Sequence, residues 1–300
     1  MIEPNTFGFD EQTAMDNTFQ HHLSESEAAV RVAATKEWKS LVAALREFGV
    51  EVLAHSETDG VPRPNGVFPN NWISTWPDGR VVLYPMATES RRVERTRGVL
   101  DALRERFDVR EVTDLTGSED GGKFLESTGA MVFDHINKVA YACESVRCDG
   151  KLFERHVTEL GYEPVLFQAF DAHGAPIYHT NVMMGVQSGT AVVCLRAVRA
   201  AQRRELVKSL ERTGHEVIDI DYEQLDVYCG NVIELQNADG EQCLLLSKSA
   251  YQAFTPAQRK VLGRGRTLLP VAVPTIQAIG GGSVRCMVAE VFLPALVAAH

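Results

Sequence analysis

Val139-Ala140-Tyr141-Ala142-Cys143 is an apolar run of strand length, and the segments on its C-terminal side decide the architecture. A helical segment, 151–160, comes next, and then a second short strand, 163–167. The same order recurs on both sides. Apolar strands at 81–86, 191–195 and 243–247 lead into helical segments 89–107, 199–213 and 250–262, each trailed by a short strand at 109–112, 216–220 or 266–269. A fifth apolar run, 289–293, has no helix after it, but the chain opens with an unpaired helix (25–48, with Ser24 as its N-cap) and a short strand, 50–54. The strand starts at 81, 139, 191, 243 and 289 are separated by 58, 52, 52 and 46 residues. Repeats of this length bury their faces on one another in a stack or a ring. A doubly wound sheet is the competing fold, and no glycine fingerprint follows an early strand to support it. The expectation is an α/β chain forming one domain over 1–300, with five similar units around an axis.

Composition narrows the function. Forty acidic residues against 30 basic ones leave a net charge of −10, which argues against a nucleic-acid partner. The first twenty residues hold Glu3, Asp10, Glu11 and Asp16 and no basic residue, unlike a secretory signal. No apolar run approaches the roughly 20 residues of a membrane span. Six scattered cysteines without a CxxC pair suggest neither a metal site nor a disulfide framework, so a reducing cytoplasm is expected.

Candidate chemistry gathers at Gly280-Gly281-Gly282-Ser283-Val284-Arg285-Cys286-Met287. Three glycines let the backbone take positive φ and approach a ligand closely. A neighbouring cation, here Arg285, favours the thiolate form of a cysteine, which is the nucleophile. The alternative is a core cysteine beside a flexible turn. A nucleophile needs a proton-handling partner, and His179 in Tyr178-His179-Thr180-Asn181 is the first choice, with His135 the runner-up. His21, His22, His156, His215 and His300 read as surface or helix positions.

Asn71, Glu126, Asn181 and Asn231 precede the apolar strands at 81, 139, 191 and 243 by 10, 13, 10 and 12 residues. Around an axis, side chains at that shared phase converge at one end. Glu126, between glycine-bearing turns, suits a planar donor such as guanidinium; an exposed loop glutamate is the other reading. Arg147 could hold a substrate carboxylate or be an ordinary surface arginine. Asn231 could equally cap a turn. The loop 55–71, rich in Pro and Gly, ends in Phe68-Pro69-Asn70-Asn71-Trp72 and reads as a binding loop or lid.

In order, Phe68-Pro69-Asn70-Asn71-Trp72, Phe124-Leu125-Glu126-Ser127-Thr128-Gly129, Tyr178-His179-Thr180-Asn181 and the glycine–cysteine stretch resemble the motifs of the guanidino-group-modifying enzymes. The nearest likeness is to their citrulline-utilisation hydrolase (arginine-deiminase-related) branch. The lead-in from Phe7 to Asn17 also resembles the family.

The resemblance implies the pentein fold, a five-bladed α/β propeller of ββαβ-like repeats. It implies Cys286 as nucleophile, His179 as general acid/base and Glu126 as the carboxylate gripping the guanidino group. Asn71, Asn181, Arg147, Arg285 and Asn17 are the expected substrate-binding residues. Asn71 and Asn181 stand where deiminases usually carry aspartates, and a neutral amide suits a ureido group, which offers an acceptor as well as donors. The resemblance therefore implies cysteine-dependent hydrolysis of citrulline or arginine, with ammonia and ornithine as products and no metal or organic cofactor. An arginine deiminase, an amidinotransferase and, remotely, a non-catalytic pentein are the alternatives. The expected partner is a small amino-acid substrate, with neither nucleic acid nor membrane; a homodimer is left open.

Overall fold

The structure, a computed structural model, describes residues 1–296; the last positions of the expected 1–300 domain, His300 among them, lie outside the described residues. Four three-stranded sheets share one topology. The first contains β1 (Ile73–Thr75), β2 (Arg80–Leu83) and β3 (Glu111–Asp114), and the second β4 (Met131–Asp134), β5 (Val139–Cys143) and β6 (Glu163–Phe167). The third contains β7 (Met184–Gln187), β8 (Thr190–Val193) and β9 (Glu216–Asp219). The fourth contains β10 (Ile233–Gln236), β11 (Gln242–Ser247) and β12 (Thr267–Val271). In each, the first two strands form an antiparallel hairpin, and the third returns parallel to the second after a helical crossover.

The middle strands are the apolar runs of the sequence. β5 falls on the expected residues and pairs Val139–Cys143 with Glu163–Phe167 in register. The opening strands β1, β4, β7 and β10 carry no signal in the sequence, because three or four residues are too short to show an alternation. They are nonetheless the strands through which units two, three and four touch.

Other expectations need correction. The helix expected over 89–107 is two helices, Glu89–Arg92 and Arg97–Arg104, with Thr96 extended between them. The break turns Arg91 inward, where it is buried against Glu94 and Asn71. The helix expected over 250–262 splits before Pro256, where Thr255 and Gln258 form a capping box. The opening helix, Glu27–Glu47, is capped by Ser26 and not by Ser24. Neither 50–54 nor 289–293 is a strand; the first makes way for a lone Ile2–His55 bridge, and 289–293 runs without regular structure. No fifth sheet occurs among the described residues. The opening helix instead packs on the helix Pro274–Gly280 and on β12, with Trp38, Leu41 and Ile276 in a shared apolar cluster.

The entrances to the opening strands are tightly packed. A Cβ on Gly230 would lie 2.5 Å from the Val182 carbonyl oxygen, so the third and fourth units meet there backbone to backbone. Gly230→Ala should therefore lower stability by about 1–3 kcal/mol in chemical denaturation, since no flexible side chain can yield.

Candidate active site

Each opening strand is entered through a turn, and the turns carry the polar side chains. Asn71 ends the 3-10 turn Pro69–Asn71 before β1. Glu126 and His179 are the N-cap positions of the short helices Ser127–Ala130 and Thr180–Met183, which run into β4 and β7. Asn181 lies within the second of these, and Asn231 lies just before β10. The shared phase read from the sequence is thus a shared structural position. Ser127, next to Glu126, has φ +41°, an uncommon value for a non-glycine residue. Its hydroxyl donates to the Ile73 carbonyl, tying the strained turn to the first unit.

Cys286 is buried, and two amides face its sulfur: Asn231 Nδ2 at 3.2 Å and Asn181 Nδ2 at 3.5 Å. The Asn231 amide oxygen accepts from the Arg285 backbone N–H, which fixes the orientation of its donor. The Arg285 side chain departs from expectation. Its guanidinium pairs with Glu290 at 3.1 Å and donates to the Val288 carbonyl, in a cavity separate from the one that Cys286 lines. The dipeptide predicted a cation at the thiol, but the backbone sends consecutive side chains apart and the carboxylate captures the charge.

The other five cysteines are free and buried, and burial pushes them all up, Cys143, Cys194 and Cys243 to about 11 and Cys229 to about 12. They remain thiols at neutral pH.

The glycine run packs as the sequence suggests. Gly281 takes φ +62° after the helix Pro274–Gly280, and a Cβ there would lie 2.4 Å from Asn17 Nδ2. Asn17 donates to the Gly281 carbonyl at 3.2 Å, and the Tyr178 hydroxyl donates to the same oxygen. Phe68 covers Gly280 and Gly282, so the end of the Pro-rich loop seals this side. Asn65 anchors that loop to Asp10 and Thr13.

Glu126 is fully buried behind His179. One carboxylate oxygen accepts the Ala87 N–H at 3.0 Å, and the other lies 2.8 Å from His179 Nε2. Arg147 and Arg91 stand 3.6 and 3.8 Å from that second oxygen. Burial raises the carboxyl, but Arg147, the His179 hydrogen bond and Arg91 together outweigh it and hold Glu126 down at about 2. An ionised carboxylate only accepts, so Nε2 carries the His179 proton and Nδ1 is the ring atom free to exchange one. Burial lowers the basicity of His179; Glu126 opposes this, while Arg147 and Arg91 add to it. Gly129 makes room for the ring, since a Cβ there would lie 2.9 Å from Nδ1 and 2.3 Å from Asn71 Nδ2.

Arg147 is buried, bound to Asp16 and to the Thr13 carbonyl, with its guanidinium 5.0 Å above the Tyr178 ring. Arg91, missed in the sequence because 89–107 reads as one continuous helix, pairs twice with Glu94 at 2.8 Å and donates to Asn71 Oδ1 at 2.7 Å. Asn17, Asn71, Arg91, Arg147, His179 and Cys286 line one cavity of about 10 Å³, room for about one water. Arg285 is outside it, and Glu126 reaches it only through His179. His135, the runner-up, is bonded to the Tyr162 hydroxyl in a separate aromatic cluster. His156 is a helix position, as expected, though buried, whereas His215 is buried outside any helix, contrary to expectation; burial pushes His156 down to about 4.

The titration of this cluster has a defined sign. A carboxyl at about 2 when folded, against 4.5 when exposed, contributes stability that is complete above about pH 4.5 and lost as pH falls toward 2. That contribution is on the order of 3 kcal/mol. Stability measured by denaturant titration should fall over this range, and Glu126→Gln should remove that part of the slope. The same substitution should lower the His179 titration further in NMR, because the raising influence of the carboxylate is gone.

No curated protein matches the chain by sequence. Among solved structures, the N-terminal domain of ArgZ bound to substrate, an arginine dihydrolase from the ornithine-ammonia cycle in cyanobacteria, is 16% identical with a TM-score of 0.74, covering 98% of both chains. Unliganded AgrE is 17% identical with a TM-score of 0.76 over all of this chain. A dimethylarginine dimethylaminohydrolase variant, as an adduct with S-methyl-L-thiocitrulline, is 14% identical with a TM-score of 0.63, covering 95% of this chain and 96% of that one. The chain spans about two fifths of full-length ArgZ and AgrE (42% and 40%). At these identities the likeness is one of fold, a mixed α/β arrangement of small sheets. The family model described as N,N dimethylarginine dimethylhydrolase, eukaryotic, matches residues 3–293, and the chain belongs to that family within the guanidino-modifying pentein superfamily.

Proposed function

We propose that this protein hydrolyses the ureido or guanidino carbon of a citrulline- or arginine-like amino acid through a covalent Cys286 intermediate. The observation that carries this reading is a sulfur held by two amide donors in the same closed cavity as a histidine backed by an ionised carboxylate. Cys286 Sγ attacks the carbon, and His179 delivers a proton to the departing ammonia. His179 then takes a proton from the water that cleaves the C–S bond. From citrulline this yields a carbamate that breaks down to ornithine and carbon dioxide. The Asn181 and Asn231 amides stabilise negative charge on the sulfur, and Arg147 receives the α-carboxylate, competing with Asp16 for the guanidinium. Asn17 holds the glycine run and borders the substrate. Glu126 acts as a positioning residue that fixes the His179 tautomer.

The case for a ureido substrate rests on Asn71. Arg91 occupies its amide oxygen and Asn70 Oδ1 accepts from its Nδ2 at 3.1 Å, which leaves one N–H of the amide, beside Gly129, as a donor. A donor complements the carbonyl of a ureido group, and repels a guanidinium, which only donates. Membership in the dimethylarginine family supports a second reading, release of an alkylamine from a methylated arginine. The narrow polar surroundings of Asn71 and Gly129 favour the first.

The same reading takes the chain as one pentein domain. The helices Glu27–Glu47 and Pro274–Gly280, with the segments flanking them, hold the fifth position around the axis; the packing of that pair beside β12 supports this. No helix among the described residues is long and apolar enough to cross a membrane.

Mass-spectrometric product analysis with L-citrulline, L-arginine and dimethylarginine separates the substrates. Ornithine from citrulline is the expected outcome; citrulline accumulating from either arginine would overturn the ureido assignment. Cys286→Ala should abolish turnover with the fold intact by circular dichroism. Asn71→Asp should move the ratio of kcat/KM values toward arginine by about tenfold or more, since it exchanges a donor for a carboxylate acceptor.

A further inference from the structure

Asn181 borders two spaces. Its amide touches the Cys286 sulfur, and it also lines a second cavity of about 350 Å³. That cavity runs along the opening strands β4, β7 and β10, away from the turns that carry the catalytic side chains, to Asp134, Ser188 and Gln236 at their far ends. Its wall is mixed: Val132, Met184, Val186 and Val232 line it together with His135, Glu234, Gln187 and the Arg285–Glu290 pair. Gln187 is buried, and its Nε2 finds no protein acceptor. A buried donor left without a partner costs about 1–3 kcal/mol, so such a wall favours water in the space it lines.

The proposed reaction needs such a space. Each turnover expels one ammonia and consumes one water while the amino-acid portion stays bonded to Sγ. The cavity on the substrate side has room for about one water before any substrate enters, closed by Phe68, the glycine run, Asn17 and Arg147. The substrate side is thus the narrower of the two spaces. We propose that the cavity behind Asn181, which also reaches Val232 next to Asn231, is the passage by which ammonia leaves and the hydrolytic water enters. In the first half-reaction the thiol proton passes to His179, the S–C bond forms, the C–N bond breaks and His179 hands that proton to the departing nitrogen, which leaves as ammonia past the two amides. In the second, water arrives by the same route; its oxygen bonds to the carbon, its proton goes to His179 and the S–C bond breaks.

This inference rests on the hydrolase reading, and the test separates the two. Val186→Trp would obstruct the outer part of the cavity on a partly exposed strand position, and Val232→Phe would obstruct it beside Asn231; neither residue touches the thiol or the substrate cavity. Ammonia release from citrulline and the intact mass of the protein during turnover are measured for both variants and the wild type, with thermal melts to establish folding. The expected result is a fall in kcat of about tenfold or more, KM little changed, and a Cys286 adduct with the mass of substrate less ammonia accumulating in the variants. A folded variant of either kind that keeps wild-type kcat and shows no adduct overturns the passage while leaving the hydrolase reading in place. A wild type that releases neither ammonia from citrulline or arginine nor an alkylamine from dimethylarginine overturns both.

Discussion

Glu126 keeps a full negative charge with no exposed surface, and much of the site is built to meet that requirement. Burying a carboxylate is costly unless partners replace water. Here the partners come from four places in the chain: the Ala87 backbone, Arg91, Arg147 and His179. Arg147 in turn needs Asp16, and Arg91 needs Glu94 and Asn71. Removing one of the charged members, Arg91, Arg147, Glu94 or Asp16, leaves a buried opposite charge without its partner. The network therefore fixes positions as much as it stabilises, and it holds the first two units, the third and the N-terminal segment in one arrangement.

The same network bears on the amides that stand beside the thiol and the histidine. With two buried arginines already close to Glu126, a site for a cation would have to add negative charge. The chain instead places Asn71 and Asn181 there, and commits the acceptor of Asn71 to Arg91. The cavity is left with amide and arginine donors, and no free carboxylate, around a thiol and a histidine. That arrangement matches a neutral carbonyl-bearing group better than a guanidinium.

Backbone contact is the second constraint. Gly129, Gly230 and Gly281 each occupy a point where a methyl group would collide with a site residue or a neighbouring unit. The units converge closely enough at this end for amides from two of them to meet one sulfur. At the other end the opening strands β4, β7 and β10 line a second, larger cavity.

The sequence alone determined the repeat and the phase of its polar residues. Apolar middle strands such as 139–143 announce themselves through composition, and Asn71, Glu126, Asn181, Asn231 and Cys286 lie at related points because each precedes a strand or follows the glycine turn. Tertiary structure decided which charges meet. Arg285 adjoins Cys286 in sequence yet pairs with Glu290, whereas Arg91, in a segment of helical pattern, is drawn into the core by Glu94 and Asn71. The opening strands were invisible for a similar reason: three or four buried residues carry no period of their own, and only pairing with a neighbour makes them strands. Local patterns record the free energy of burying a face. Partnerships between buried charges depend on distances that exist only once the chain is folded.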